Sequence, residues 1–128
     1  MRILKNKAFN KWAPKEGISD QALRDAVDEM ERGLVEADLG GRVFKKRVAT
    51  SGRGKSGGVR TLLAYREGDK AFFVYGFAKS ERANIKTYEL DGLKKLAKEL
   101  LGYSDQQLKK AKDNGALIEV IGDEKVNS

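Results

Sequence analysis

The sequence contains neither cysteine nor histidine, and these two absences remove several familiar kinds of active site. Without cysteine the chain can form no disulfide and no thiolate metal site. Without histidine, zinc hydrolase sites, histidine-based triads and the paired-histidine type of ribonuclease are excluded. Any catalysis must therefore use Lys, Arg, Tyr, Ser, Thr, Asp or Glu, and we expect no metal and no other cofactor.

Long apolar runs are missing as well. No stretch approaches the roughly 18 apolar residues that a membrane helix needs, and residues 1–5 lead into polar sequence instead of a signal-peptide core. We therefore expect a cytoplasmic protein with no membrane association. With 40% hydrophobic and 35% charged residues, the composition is that of a folded protein. We expect one domain over residues 1–121 and a frayed tail over 122–128.

The hydrophobic pattern predicts an α+β fold in the order β-α-α-β-β-β-α-α-β. The apolar residues of 20–34 recur at spacings of three and four behind Ser19, a good N-cap, and predict an amphipathic helix. A later helix is predicted with Thr87 as its possible N-cap and Gly102 just after its end. Another is predicted from the capping box of Ser104 and Gln107 to about residue 114. The predicted strands are residues 3–4, 43–48, 59–66, 70–78 and 116–121. A short turn at residues 67–69 joins two of them as a hairpin, and the nearly continuous apolar run over 72–77 predicts a central strand. They imply a small, mainly antiparallel sheet with helices packed on it.

A basic run is the strongest functional signal in the sequence. Residues 40–66 contain no acidic side chain, and the net charge of the whole chain is +7. The basic residues of the run are Arg42, Lys45, Lys46, Arg47, Arg53, Lys55, Arg60 and Arg66. Alternation along a strand directs Lys45 and Arg47 to one face and Lys46 to the other. The run favours a polyanionic partner, either a nucleic acid or an acidic protein, over the alternative of a merely solvated surface.

The glycine-rich loop within this run resembles a phosphate-binding P-loop only superficially. Residues 49–56 fit a relaxed form of that motif, with alanine in the first glycine position. A true P-loop opens a helix, whereas here Gly57 and Gly58 lead into another predicted strand. We therefore expect no nucleotide cofactor. The glycines instead suit a flexible arm that lets Lys55 approach a phosphate backbone.

Three motifs together resemble a known family. They are the Phe-Lys-Lys-Arg of residues 44–47, the Gly-Lys-Ser-Gly-Gly-Val-Arg of residues 54–60, and the Phe-Ala-Lys-Ser-Glu-Arg-Ala-Asn-Ile of residues 77–85. In this combination the chain is similar to the RelE/HigB toxins of bacterial toxin–antitoxin pairs. The resemblance implies a RelE-like fold and a ribosome-dependent, metal-independent messenger-RNA endonuclease that inhibits translation. It also implies three partners: a cognate antitoxin protein, the ribosome and messenger RNA.

The resemblance also implies roles for individual residues. Lys46 (or Lys45) and Lys55 correspond to the basic groups near the attacking 2′-hydroxyl, and Arg60 to the group that binds the scissile phosphate. Lys79 and Arg82 correspond to groups that assist the phosphate or the leaving oxygen. The predicted catalytic residues are thus Lys46, Lys55, Arg60, Lys79 and Arg82. The predicted nucleic-acid-binding residues are Arg42, Lys45, Arg47, Arg53 and Tyr88.

The sequence departs from the family pattern at two positions. Better-known members have an arginine where Ser80 stands and a tyrosine near Lys86, whereas here a tyrosine, Tyr88, occurs two residues later. Either cleavage is weak, or these roles pass to Lys79, Arg82 and Tyr88. Two other functions remain open at this point: a ParE-type toxin that inhibits DNA gyrase, and a non-catalytic nucleic-acid-binding module.

Overall fold

The structure, a computed structural model, describes residues 1–50, 59–78 and 85–120, and it confirms the predicted α+β class. Its helices are α1 (Lys7–Lys15), α2 (Asp20–Glu31), α3 (Thr87–Leu101) and α4 (Asp105–Asp113). Its strands are β1 (Arg2–Asn6), β2 (Ala37–Asp38), β3 (Val43–Val48), β4 (Val59–Arg66), β5 (Lys70–Ala78) and β6 (Leu117–Glu119). Among the described residues, no helix is long and apolar enough to cross a membrane.

The six strands form one sheet in the order β2-β3-β4-β5-β1-β6. Neighbouring strands are antiparallel except β1 and β5, which are parallel, so the prediction of a mainly antiparallel sheet is confirmed. The predicted β4–β5 hairpin turns at Gly68, whose φ of 72° favours glycine.

Helices cover both faces of the sheet. On one face, α1 and α2 bury a cluster that includes Phe9, Leu23 and Phe73. On the other face, α3 and α4 bury a second cluster that includes Phe72 and Leu108. Phe72 and Phe73 are adjacent in β5 and both are fully buried, as the continuous apolar run predicted for a central strand.

Polar contacts fasten α2 to three different strands. Lys5 of β1 lies with Nζ 2.8 Å from Oδ1 of Asp20, in the first turn of the helix. The Tyr65 hydroxyl of β4 donates to Glu31, the last helical residue. Burial and this bond raise the pKa of Tyr65, so the hydroxyl stays protonated as a donor. The third contact is made by Lys46 of β3, whose Nζ donates to Glu29.

Several predicted boundaries are wrong. Helix α2 ends at Glu31, not at residue 34, because Gly33 takes a φ of 90°, and the side chain of Leu34 beyond it is 57% exposed. Thr87 is the first residue of α3 and not its cap; the N-cap is Lys86, whose backbone N–H donates to the Glu89 carboxylate.

The last strand and the first hairpin also differ from the prediction. Strand β6 covers Leu117–Glu119, which is shorter than the predicted 116–121. Strand β2 was not predicted, and it pairs with β3 across a turn in which Gly40, Gly41 and Arg42 all have positive φ. The predicted tail lies outside the described residues.

Candidate nucleic-acid interface

Three residues of the basic run lie on one face of the sheet, at the end where β3 stops and β4 starts. Arg47 and Arg60 are direct cross-strand partners, and Lys45 is two residues before Arg47 on the same strand. Because side chains alternate along a strand, Lys45 and Arg47 share the face of Val43, which packs in the α3 cluster. Lys45 is half-buried, Arg47 is exposed and Arg60 is buried. Two arginines set side by side on a rigid sheet favour an anionic ligand.

Arg60 forms an ion pair with a carboxylate, that of Glu36. Its Nε lies 2.9 Å from Oε2 of Glu36, just before β2, and the Arg60 side chain is only 10% exposed. An arginine stays charged under all ordinary conditions, so a buried one needs a compensating anion. Glu36 supplies that anion in this structure.

Lys46 lies on the opposite face of β3, against α2. Its Nζ donates to Oε1 of Glu29 at 2.6 Å and to the Leu34 carbonyl oxygen at 3.1 Å. The hydrogen bond from Lys46 lowers the pKa of Glu29, which keeps the carboxylate ionised. These contacts favour a structural role, in which Lys46 holds the end of α2 to the sheet, and its catalytic role stays a prediction.

Arg42 and Tyr88 lie on other elements. Arg42 occupies the β2–β3 turn with a φ of 69° and is exposed. Tyr88 lies in the first turn of α3 and is 70% exposed, with Nζ of Lys86 6.0 Å from the centre of its ring. Tyr88 therefore presents an aromatic surface to solvent, next to a cation. A base could stack on such a surface.

Four predicted site residues lie outside the described residues: Arg53, Lys55, Lys79 and Arg82. Their predicted roles stay predictions. The described ends of their segments are nevertheless neighbours, because Val48 pairs with Val59, and Val59 pairs with Ala78. The described strand ends at Val48, Val59 and Ala78 therefore lie next to one another, beside Arg60.

The sequence interpretation missed three acidic partners of the basic run: Glu29, Glu36 and Asp69, the last of which pairs with Arg66. Glu29 and Glu36 precede residue 40, so a count of charged residues over 40–66 finds no acidic residue. In the structure, however, Glu29 pairs with Lys46 and Glu36 pairs with Arg60. The glycine pair at 40–41 is a hairpin signal that could have revealed β2 and so brought Glu36 close to β3. In the ranges that the structure describes, Arg42, Lys45 and Arg47 form no ion pair.

The described acidic side chains are dispersed. Across residues 1–50, 59–78 and 85–120, no three of them are grouped so that they could hold a metal ion. Around Arg60 the arrangement is that of an anion-binding surface: three cations lie on one sheet face, and the Glu36 carboxylate lies beside the most buried one.

A comparison with protein families matches residues 1–120 to the RelE toxin of the RelE/RelB toxin–antitoxin system. Comparisons with curated proteins and with solved structures found no match. The match spans almost the whole chain and includes every described element, so the resemblance in the three motifs is confirmed. A toxin of this kind has a cognate antitoxin as its partner. The chain belongs to the RelE toxin family and is the toxin of a toxin–antitoxin pair.

Proposed function

We propose that this toxin is an endoribonuclease that cuts messenger RNA on the ribosome, in the cytoplasm, and so stops translation. The observation that carries the proposal is the cross-strand pair of Arg47 and Arg60, with Lys45 on the same face. Toxins of the RelE family are generally endoribonucleases, which supports the same activity here. A sheet face with adjacent arginine side chains suits a phosphate backbone, because each guanidinium can donate two parallel hydrogen bonds.

In the proposed reaction the 2′-oxygen of the RNA bonds to the adjacent phosphorus as the bond to the 5′-oxygen breaks. A basic group accepts the proton of the 2′-hydroxyl, and an acidic group protonates the leaving oxygen. Arg60 binds the scissile phosphate, where its guanidinium balances the charge that develops in the transition state. Lys55 is proposed near the nucleophile, with Lys79 and Arg82 near the phosphate or the leaving oxygen.

We assign RNA binding to four cations of the basic run and to the exposed ring of Tyr88. Lys45, Arg47 and Arg42 attract the backbone, since in the described part of the chain they have no ion-pair partner. Arg53 is proposed to act with them, and Tyr88 to stack on a base. The ribosome then supplies the positioning that this small site lacks, an effect worth up to ~7–11 kcal/mol in well-oriented reactions.

The proposal is tested by inducing the toxin in bacteria and following protein synthesis, plasmid supercoiling and message ends in parallel. We expect protein synthesis to stop first, with supercoiling unchanged. Primer extension should show discrete cuts in a translated message, and the same message without its start codon should stay intact because no ribosome reads it. Intact messages together with altered supercoiling would instead favour a gyrase inhibitor of the ParE type.

A further inference from the structure

Glu36 is an acidic residue that contacts the proposed phosphate-binding arginine. Its Oε2 accepts from Nε of Arg60 at 2.9 Å, and the Glu36 side chain is 29% exposed. A carboxylate on Nε restricts rotation of the planar guanidinium about the end of the arginine side chain. The direction in which Arg60 presents its terminal nitrogens therefore depends on Glu36.

The backbone around Glu36 is itself fastened to β3. The Glu36 N–H donates to the Lys45 carbonyl oxygen at 3.2 Å, and the Leu34 carbonyl oxygen accepts from Lys46. Strand β3, which pairs with the strand of Arg60, therefore holds the link between α2 and β2 on both sides of residue 35. Glu36 therefore contacts Arg60 from backbone that is hydrogen-bonded to β3.

We propose that Glu36 is a positioning residue that holds Arg60 charged, buried and correctly oriented for the scissile phosphate. This inference rests on the proposed function and adds to it a residue that none of the three motifs contains. The carboxylate touches the arginine and not the RNA, so its effect belongs to the chemical step more than to RNA binding. Misplacement of a catalytic group by about 1 Å can lower a rate on the order of 10²-fold.

A competing role would give the opposite result. If the carboxylate merely occupied the arginine in place of phosphate, its removal would liberate Arg60 and speed cleavage. If it positions the arginine, its removal slows cleavage, because the buried guanidinium loses the carboxylate that restricts its orientation. The sign of the rate change therefore distinguishes the two roles.

The experiment compares single-turnover cleavage of a message on purified ribosomes by the wild type, Glu36→Gln, Glu36→Asp and Asp20→Asn. Asp20→Asn is the matched control: it also removes one negative charge from a buried cation, Lys5, but this pair lies at β1 and the start of α2. Ribosome co-sedimentation and thermal melting are measured for each variant.

We expect Glu36→Gln to lower the cleavage rate at saturating ribosome on the order of 10²-fold, with ribosome association changed by less than about threefold. Asp20→Asn should cleave at nearly the wild-type rate, and Glu36→Asp, which keeps the charge, should recover part of the activity. If Glu36→Gln does not fold, Glu36→Asp decides: it must be slower than wild type at equal association.

Three outcomes overturn the inference. A Glu36→Gln rate equal to that of Asp20→Asn means that Glu36 has no special role, and a rate above wild type means that it competes with phosphate. Absence of cleavage by the wild type itself overturns the proposed function as well. The first two outcomes leave the proposed function intact, so the two failures can be told apart.

Discussion

At the scale of single residues, the Glu119 carboxylate pairs with two cations from different elements, Arg2 and Lys112. It accepts from Nε and Nη2 of Arg2, both at 3.0 Å, and from Nζ of Lys112 at 2.6 Å. The hydrogen bonds from Arg2, and then those from Lys112, lower the pKa of Glu119 to about 2. One carboxylate thus joins the first strand, the last helix and the last strand.

This contact predicts an acid-sensitive contribution to stability. Because the pKa in the folded protein is below the ordinary value of 4.5, the carboxylate stabilises the fold above that pH. The contribution is lost as the pH falls from about 4.5 toward about 2. Glu119→Gln should lower the free energy of unfolding at neutral pH by about 2 kcal/mol and flatten the dependence of melting temperature on pH in that window.

The control for this prediction is Asp113→Asn. Asp113 pairs with Lys109 on the surface of α4, where the two side chains are 66% and 78% exposed. Exposed pairs of this kind contribute little, so the variant should melt like the wild type at every pH. If Glu119→Gln follows the wild-type profile between pH 2 and 4.5, the three hydrogen bonds do not stabilise the fold.

At the scale of elements, the packing of α1 on β5 depends on one glycine. A Cβ at Gly76 would lie 2.1 Å from Cζ3 and 2.3 Å from Cη2 of Trp12, which is far closer than atoms can approach. The Trp12 ring therefore lies directly on the backbone of β5, and Phe9 packs beside it with ring centres 5.4 Å apart. Any side chain at residue 76 must push the helix or the ring away.

Two glycine-to-alanine substitutions test this packing with opposite signs. Gly76→Ala should lower the free energy of unfolding by roughly 1–3 kcal/mol, the usual cost of overpacking. Gly92→Ala, in α3, meets no atom within 4 Å and should raise it by about 1 kcal/mol, because alanine favours helix more than glycine does. Denaturant unfolding measures both. Equal stability of the two variants would show that Trp12 does not lie on β5 as described.

Much of this element-level structure could be predicted from the sequence. The alternation in β3 and β4 and the apolar run in β5 identified three strands, and Ser104 with Gln107 correctly predicted the capping box of α4. The parallel pairing of β1 with β5 could not be predicted, because it joins residues about 68 positions apart in the chain. The end of α2 was missed because Leu34 fits the helical spacing, and only the φ of Gly33 ends the helix.

At the scale of the whole molecule, the basic run contains both buried cations held in ion pairs and exposed cations on the surface. Lys46 and Arg60 are neutralised by Glu29 and Glu36, whereas Arg47 projects from the sheet face that it shares with Arg60. The sequence places basic residues on neighbouring strands, and Arg47 and Arg60 are indeed cross-strand partners, whereas their role as a site stays a prediction. The sequence interpretation missed Glu29 and Glu36 because they lie outside residues 40–66, in α2 and just before β2.

In the proposed reaction Arg60 acts through the geometry of its guanidinium and not through charge alone. The measurement is primer extension on a translated message after induction of Arg60→Lys and of Arg42→Lys. Each substitution keeps the positive charge and removes the two-pronged guanidinium. Arg60 is buried on the sheet, whereas Arg42 is exposed in the β2–β3 turn and should add only diffuse attraction to RNA.

We predict that Arg60→Lys abolishes the cuts and the toxicity while thermal melting and ribosome co-sedimentation stay close to wild type. Arg42→Lys should cut the message as the wild type does. If the two variants instead cleave, bind and melt alike, charge is all that the basic run contributes, and the proposed catalytic role of Arg60 is wrong.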